Sequence, residues 1–221
     1  MQEEERTELP QEILERLKYF RQSQDLKNRR ETLTILEYGQ DSVSIDETKN
    51  TGEAHLVIQH CCPVISFSAL ELNHWSYLNY ENVSDGLILE FTGEKWKAHI
   101  FELKKKVSNS HWSKTKKQFA GTYLYLQMIK GLLGITIDQE DIFYYIGYRI
   151  DEIQEQKKAT PIELHRGLLG FSQNDKTGGQ SIAGTEWKTQ QTCLKLYEDI
   201  KCSFQKIQLD EATGEGQYRL S

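Results

Sequence analysis

The chain predicts an α/β (α+β) fold, a mixed central sheet flanked by helices with extra strands near the N-terminus, and three segments carry that prediction. Residues 85–91 (DGLILEF) and 96–104 (WKAHIFELK) are rich in Leu, Ile, Phe and Trp and read as two paired strands. Residues 108–134 follow with a helix-like pattern, and residues 141–150 (DIFYYIGYRI) form another strongly β-like run.

The remaining elements follow in chain order. After Pro10, residues 11–27 place Ile13, Leu14, Leu17 and Phe20 at helical spacing, which predicts a helix packed on the sheet. Residues 32–38, 42–46 and 54–60 read as short strands, separated by the turn-like stretches 39–41 and 49–52. Residues 63–72 are a further strand-like run. The stretch 71–80, with Trp75, Tyr77 and Tyr80, suits either helix or strand, and its aromatics read as core. Gly178, Gly179 and Gly184 punctuate a long polar loop over 155–185. A helix over 187–202, a strand over 204–209 and a terminal strand over 217–220 complete the chain.

The 85–104 hairpin carries the chemistry. Thr92-Gly93-Glu94-Lys95 puts Gly at the first central position of a two-residue turn, as a type II′ hairpin requires. With Gly93 and Glu94 as the loop, Asp85 faces Glu102, and opposed residues carry Cβ atoms about 4.5–5.5 Å apart on one face. Leu87, Leu89, Phe91, Trp96, Ala98 and Ile100 share that face, so an apolar surface turns abruptly into Asp85, Glu102 and Lys104. Two carboxylates that close repel unless a cation or a proton lies between them. The other face, with Ile88, Glu90, His99, Phe101 and Leu103, needs a partial cover, for which a helix is the expected element.

These residues resemble the PD-(D/E)XK nuclease superfamily, which includes restriction endonucleases and RecB-like exonucleases. Asp85 corresponds to the motif's D, Glu102 to its (D/E) and Lys104 to its K; Ser84 stands where Pro is usual. The resemblance covers roughly 85–134 and implies a restriction-endonuclease-like core within one nuclease-like domain. Residues 1–80 would elaborate it, 81–150 would form the catalytic core with the 141–150 strand beside that of Glu102, and 151–221 would add a loop, a helix and a strand. It further implies Mg²⁺ or Mn²⁺ held by Asp85, Glu102 and the Leu103 carbonyl, with Lys104 positioning water or neutralising charge on phosphorus. Gln118 matches the polar residue that such enzymes carry on the next helix; Tyr123 lies one residue beyond the RecB-like spacing. A further acid often comes from the first helix, where Glu12 and Glu15 are available, with Glu71 a third choice. The implied reaction is hydrolysis of a phosphodiester, in DNA rather than RNA, in defence or repair.

Composition narrows the classes of partner. The chain has 221 residues, is 38% hydrophobic and 27% charged, and has a net charge of −6, which disfavours a nonspecific nucleic-acid coat. Yet Lys95, Lys97, Lys104, Lys105, Lys106, Lys114, Lys116 and Lys117 cluster around the motif, opposed only by Glu102 and with His99, His111, Trp96 and Trp112 interleaved, as a phosphate-contacting and base-stacking surface would be. Nucleic acid is therefore the expected partner, with a homodimer or a larger complex as the expected assembly, since duplex cutting by such folds uses two sites. The acidic start MQEEERTELP and the lack of a long apolar run predict a cytoplasmic protein with no membrane partner. Cys61, Cys62, Cys193 and Cys202 then read as reduced, buried thiols, because their spacing matches neither a zinc site nor the carboxyl-terminal iron–sulfur cluster of some relatives. No P-loop or GxSxG elbow is present. The competing expectation is a catalytically idle module of the same fold, or an unrelated α+β protein, that binds a partner.

Overall fold

The computed structural model describes residues 8–20, 33–36, 42–47, 54–68, 82–155 and 182–220. Within them the architecture is mixed α+β, with two mixed sheets. The elements are α1 (Gln11–Leu17), β1 (Leu33–Leu36), β2 (Ser42–Glu47), β3 (Ala54–Gln59), β4 (Val64–Ser68), β5 (Gly86–Phe91) and β6 (Trp96–Val107). They continue with α2 (Asn109–Leu133), β7 (Ile142–Asp151), the one-turn α3 (Glu152–Glu155), α4 (Ile182–Thr189), β8 (Gln191–Lys195), β9 (Asp199–Gln208) and β10 (Glu215–Arg219).

The larger sheet has seven strands in the order β1-β4-β5-β6-β7-β9-β8, and the smaller has β10-β3-β2. The β5–β6 hairpin sits at the centre of the larger sheet. Gly93 adopts φ 93°, and the Thr92 amide donates to the Lys95 carbonyl at 3.0 Å, so the turn has the shape its sequence calls for. Pairing runs from Phe91↔Trp96 back to Gly86↔Phe101, which leaves Asp85 and Glu102 as the next residues in step. From β6 the chain enters α2, capped by Ser108 and ended by Gly134, and returns as β7 parallel to β6 with Glu102 beside Ile146. A parallel neighbour demands such a crossover, which is why a long helix lies directly after the motif.

One face of the seven-stranded sheet packs against α1 and α2 through Leu87, Leu89, Ala98, Ile100, Trp112, Phe119 and Leu126. Phe20 meets Phe67 of β4 edge-on at 5.8 Å, which ties the end of α1 to the sheet. The opposite face was expected under a helix and lies instead under the three-stranded sheet. Val43, Ile45, Leu56 and Ile58 alternate inward along β2 and β3 and meet Ile88, Phe101 and Leu103. Period-two burial gives those strands one apolar face, and a central strand covered on both sides is buried at nearly every residue, as β5 is.

The C-terminal part departs from expectation more sharply. The helix expected over 187–202 ends at Thr189; Gln190 takes φ 54°, and β8 and β9 follow as an antiparallel pair. Thr192, Leu194, Ile200 and Phe204 point inward at alternate positions, a period-two pattern that outweighs helix propensity here. The strand expected to begin at Phe204 therefore begins at Asp199 and adds to β7 in parallel. The expectations for 21–32, 71–80 and most of the long loop lie outside the described residues. No helix among the described residues is long and apolar enough to cross a membrane.

Candidate active site

Asp85 is the half-buried residue at the entrance to β5, and its Oδ2 accepts a hydrogen bond from the Leu103 amide at 2.7 Å. The carboxylate thus caps the ladder where strand pairing stops. Its position depends on α2. Gly121 has no side chain, and a Cβ there would lie 2.0 Å from the Asn82 carbonyl oxygen. The backbone entering β5 can therefore lie directly on the helix. Thr122 Oγ1 accepts from the Ser84 amide at 2.7 Å, and Gln118 Nε2 donates to the Val83 carbonyl at 3.3 Å. Thr115, Gln118 and Thr122, spaced along one helix face, are all buried.

Glu102 is completely buried, and Lys104 is 8% exposed. Lys104 Nζ donates to Glu102 Oε1 and, at 3.1 Å, to the Leu103 carbonyl. Burial and the charge of Asp85 drive the Glu102 pKa well above the ordinary carboxylate range, against the pull of Lys104. Burial works against the Lys104 ammonium, but the charges of Glu102, Asp85 and Glu47 outweigh it and raise its pKa. The group is thus an excess of negative charge around one ammonium in a dry setting. Glu102 Oε2 and Gln118 Oε1 are buried acceptors with no hydrogen-bond partner among the described residues. Such acceptors fit a cation. An oxygen-rich set of carboxylates and a carbonyl suits Mg²⁺ or Mn²⁺.

Glu47 is the acid that sequence reasoning missed. It is half-buried at the end of β2, in the other sheet, and its charge reaches both Glu102 and Lys104. No local motif marks it, because a sheet-on-sheet contact brings it there. Glu12 and Glu15, the acids expected from the first helix, pair instead with Arg16 of α1 and with Lys18 just after it. Glu71 lies outside the described residues.

The basic cluster divides in two. Lys105, Lys114 and Lys117 are exposed and make no ion pair among the described residues. Lys106 pairs with Glu152 at 3.0 Å, and Lys116 with Glu186 at 2.8 Å. Glu186 also accepts from Trp112 Nε1 at 2.8 Å and Thr192 Oγ1 at 2.9 Å, so Lys116 belongs to a cluster that fastens α2 to α4 and β8. Of the interleaved aromatics, His111 is half-buried beside Ser108 at the start of α2, and the other three offer no stacking platform. Trp112 is fully buried against Trp187 and Phe204, Trp96 is core, and His99 is 2% exposed. The cysteines also differ from expectation: Cys61 is exposed, and the other three are half-buried free thiols.

No family model, curated protein or solved structure matches this chain.

Proposed function

We propose that the chain is a metal-dependent nuclease that hydrolyses phosphodiester bonds, in DNA rather than RNA, on a restriction-endonuclease-like core. One arrangement carries the reading: Asp85 and Glu102 end a hairpin side by side, Lys104 touches Glu102, and a buried Glu102 oxygen has no donor among the described residues. Asp85, Glu102 and the Leu103 carbonyl would hold Mg²⁺ or Mn²⁺. Such an ion, when bound, supplies Lewis-acid polarisation of the phosphodiester and a water of lowered pKa.

The chain's own residues do the rest. Asp85 stays oriented through the Leu103 amide, and Glu102 through Lys104. Lys104, kept protonated by the surrounding acids, sets a positive charge where a phosphate oxygen gains negative charge. Gln118, anchored on the Val83 carbonyl, keeps Oε1 as an acceptor that can orient a water. Lys105, Lys114 and Lys117 offer phosphate contacts outside the site. The role would lie in defence or repair.

A second reading, a catalytically idle module of the same fold that binds nucleic acid or protein, is favoured by one feature. Glu102 is wholly buried, with Lys104 already on it. Cleavage of single- and double-stranded DNA and RNA with Mg²⁺ or Mn²⁺ separates the two readings. Cutting that depends on metal and disappears in Glu102→Ala and Lys104→Ala supports the nuclease. Absence of both cutting and Mg²⁺ binding leaves the idle module.

A further inference from the structure

The face of the hairpin opposite the acid–lysine site carries a second group of donor atoms. β3 ends at Gln59, and His60-Cys61-Cys62-Pro63 turns the chain from the small sheet into β4 of the large one. The turn is pinned to the hairpin: the Phe91 amide donates to the Pro63 carbonyl at 3.0 Å, and Val64 pairs with Glu90. As a result the thiols of Cys61 and Cys62 and a carboxylate oxygen of Glu90 all lie within 4.8 Å of one another.

We propose that Cys61, Cys62 and Glu90 form a binding site for a thiophilic d¹⁰ divalent cation of the Zn²⁺ type, independent of the Asp85–Glu102 pair. Three observations support it. The distances are close to a coordination shell, because two sulfurs at about 2.3 Å from one ion lie roughly 3.7 Å apart in a tetrahedron. The carboxylate is already oriented from behind: His99 bonds it through Nε2 at 3.2 Å and meets the Tyr145 hydroxyl through Nδ1 at 3.0 Å, the outer-shell arrangement that ligating groups use.

The third observation concerns His60. Its Nδ1 lies 2.8 Å from the Cys62 carbonyl, which can only accept, so Nδ1 carries the proton and the neutral ring has its lone pair on Nε2. Nε2 is buried and has no hydrogen-bond partner among the described residues. His60 is not one of the three residues within 4.8 Å; its ring, fixed by a carbonyl with the second nitrogen bare, has the tautomer that ligating imidazoles use and would complete the shell only by a movement of the ring. Thiolates select a Zn²⁺-type ion over Mg²⁺ or Ca²⁺, and the exposure of Cys61 supplies a path of entry. Occupied, the site would staple the turn between the two sheets to the central hairpin.

The test is a Co²⁺ titration of the full chain, stripped by chelator and kept reduced with a phosphine. The expected result is an intense thiolate-to-cobalt charge-transfer band that saturates at one equivalent and is bleached by Zn²⁺. Cys61→Ser and Cys62→Ser each abolish the band, and Glu90→Gln weakens Co²⁺ binding by at least the ~10-fold that loss of an outer-shell partner costs. Cys193→Ser and Cys202→Ser titrate as the wild type does. Circular dichroism checks the fold of each variant; should Glu90→Gln misfold, the cysteine variants decide alone, since Cys61 is at the surface. Absence of a charge-transfer band at saturating Co²⁺, or a band that survives Cys61→Ser and Cys62→Ser, overturns the proposal.

Discussion

Glu90 and Glu102 leave the same hairpin on opposite faces, 1% and 0% exposed. Glu90 lies toward the small sheet, where His99 holds it at 3.2 Å and Lys97 stands 3.9 Å away. Glu102 lies toward α2, where Lys104 takes one oxygen, the other has no partner among the described residues, and Asp85 and Glu47 add repulsion. Burial alone therefore does not mark a working acid. The difference lies in whether the surroundings satisfy the carboxylate or leave it short of positive charge.

The largest expected effect breaks the pair apart by activity. Glu102→Gln should lower phosphodiester cleavage by about 10²–10³-fold, whereas Glu90→Gln should leave kcat within a few-fold of wild type. Equal losses in a steady-state assay would mean that the two faces are not functionally distinct. Next in size is stabilisation by Mg²⁺. At 100 times Kd the ion should add about 2.7 kcal/mol to unfolding stability, read as a rise in Tm that Glu102→Gln or Asp85→Asn abolishes and Cys61→Ser does not.

In chelator the order of the two acids reverses. Glu90→Gln should cost about 1–3 kcal/mol in a urea titration, because a charge-assisted acceptor for His99 is lost in the core. Glu102→Gln should cost less, since a neutral amide suits a site that already disfavours the carboxylate. The pH dependence carries its own sign. Glu102 has a folded pKa above its unfolded one, so above pH 4.5, its ordinary value, the folded chain binds the extra proton. Stability relative to Glu102→Gln then falls as pH rises through that window, and Mg²⁺ should flatten the slope. The smallest effect concerns the lysines. Lys105→Ala, Lys114→Ala and Lys117→Ala should each reduce the salt slope of DNA binding by about 1, while Lys116→Ala should instead loosen the Glu186 cluster and lower Tm.

Local chemistry made the hairpin readable. A Gly in the right place of a two-residue turn sets the register, and register decides which side chains share a face, so Asp85 and Glu102 could be paired on paper. The long helix was readable for similar reasons, with Ser108 and Gly134 at its ends. The C-terminal pair β8–β9 was not, because Trp187 to Cys202 contains helix formers as well as alternating apolar residues. Packing of Phe204 against Trp112 of α2 and Trp187 of α4, with Ile200 in the same core, settles the competition.

What the sequence determined by itself is therefore short-range: the turn at Gly93, the succession of β6, α2 and β7, and the placing of two acids and a lysine at one strand end. Tertiary structure alone decided which layer covers each face of that strand, that Glu47 arrives from the second sheet, and that Lys116 and Trp112 serve packing. It also decided that Cys61 and Cys62 meet Glu90. The physical reason is the range of the forces. Turn geometry and strand periodicity act over a few residues, whereas burial, desolvation and charge repulsion depend on which distant segments the fold brings into contact.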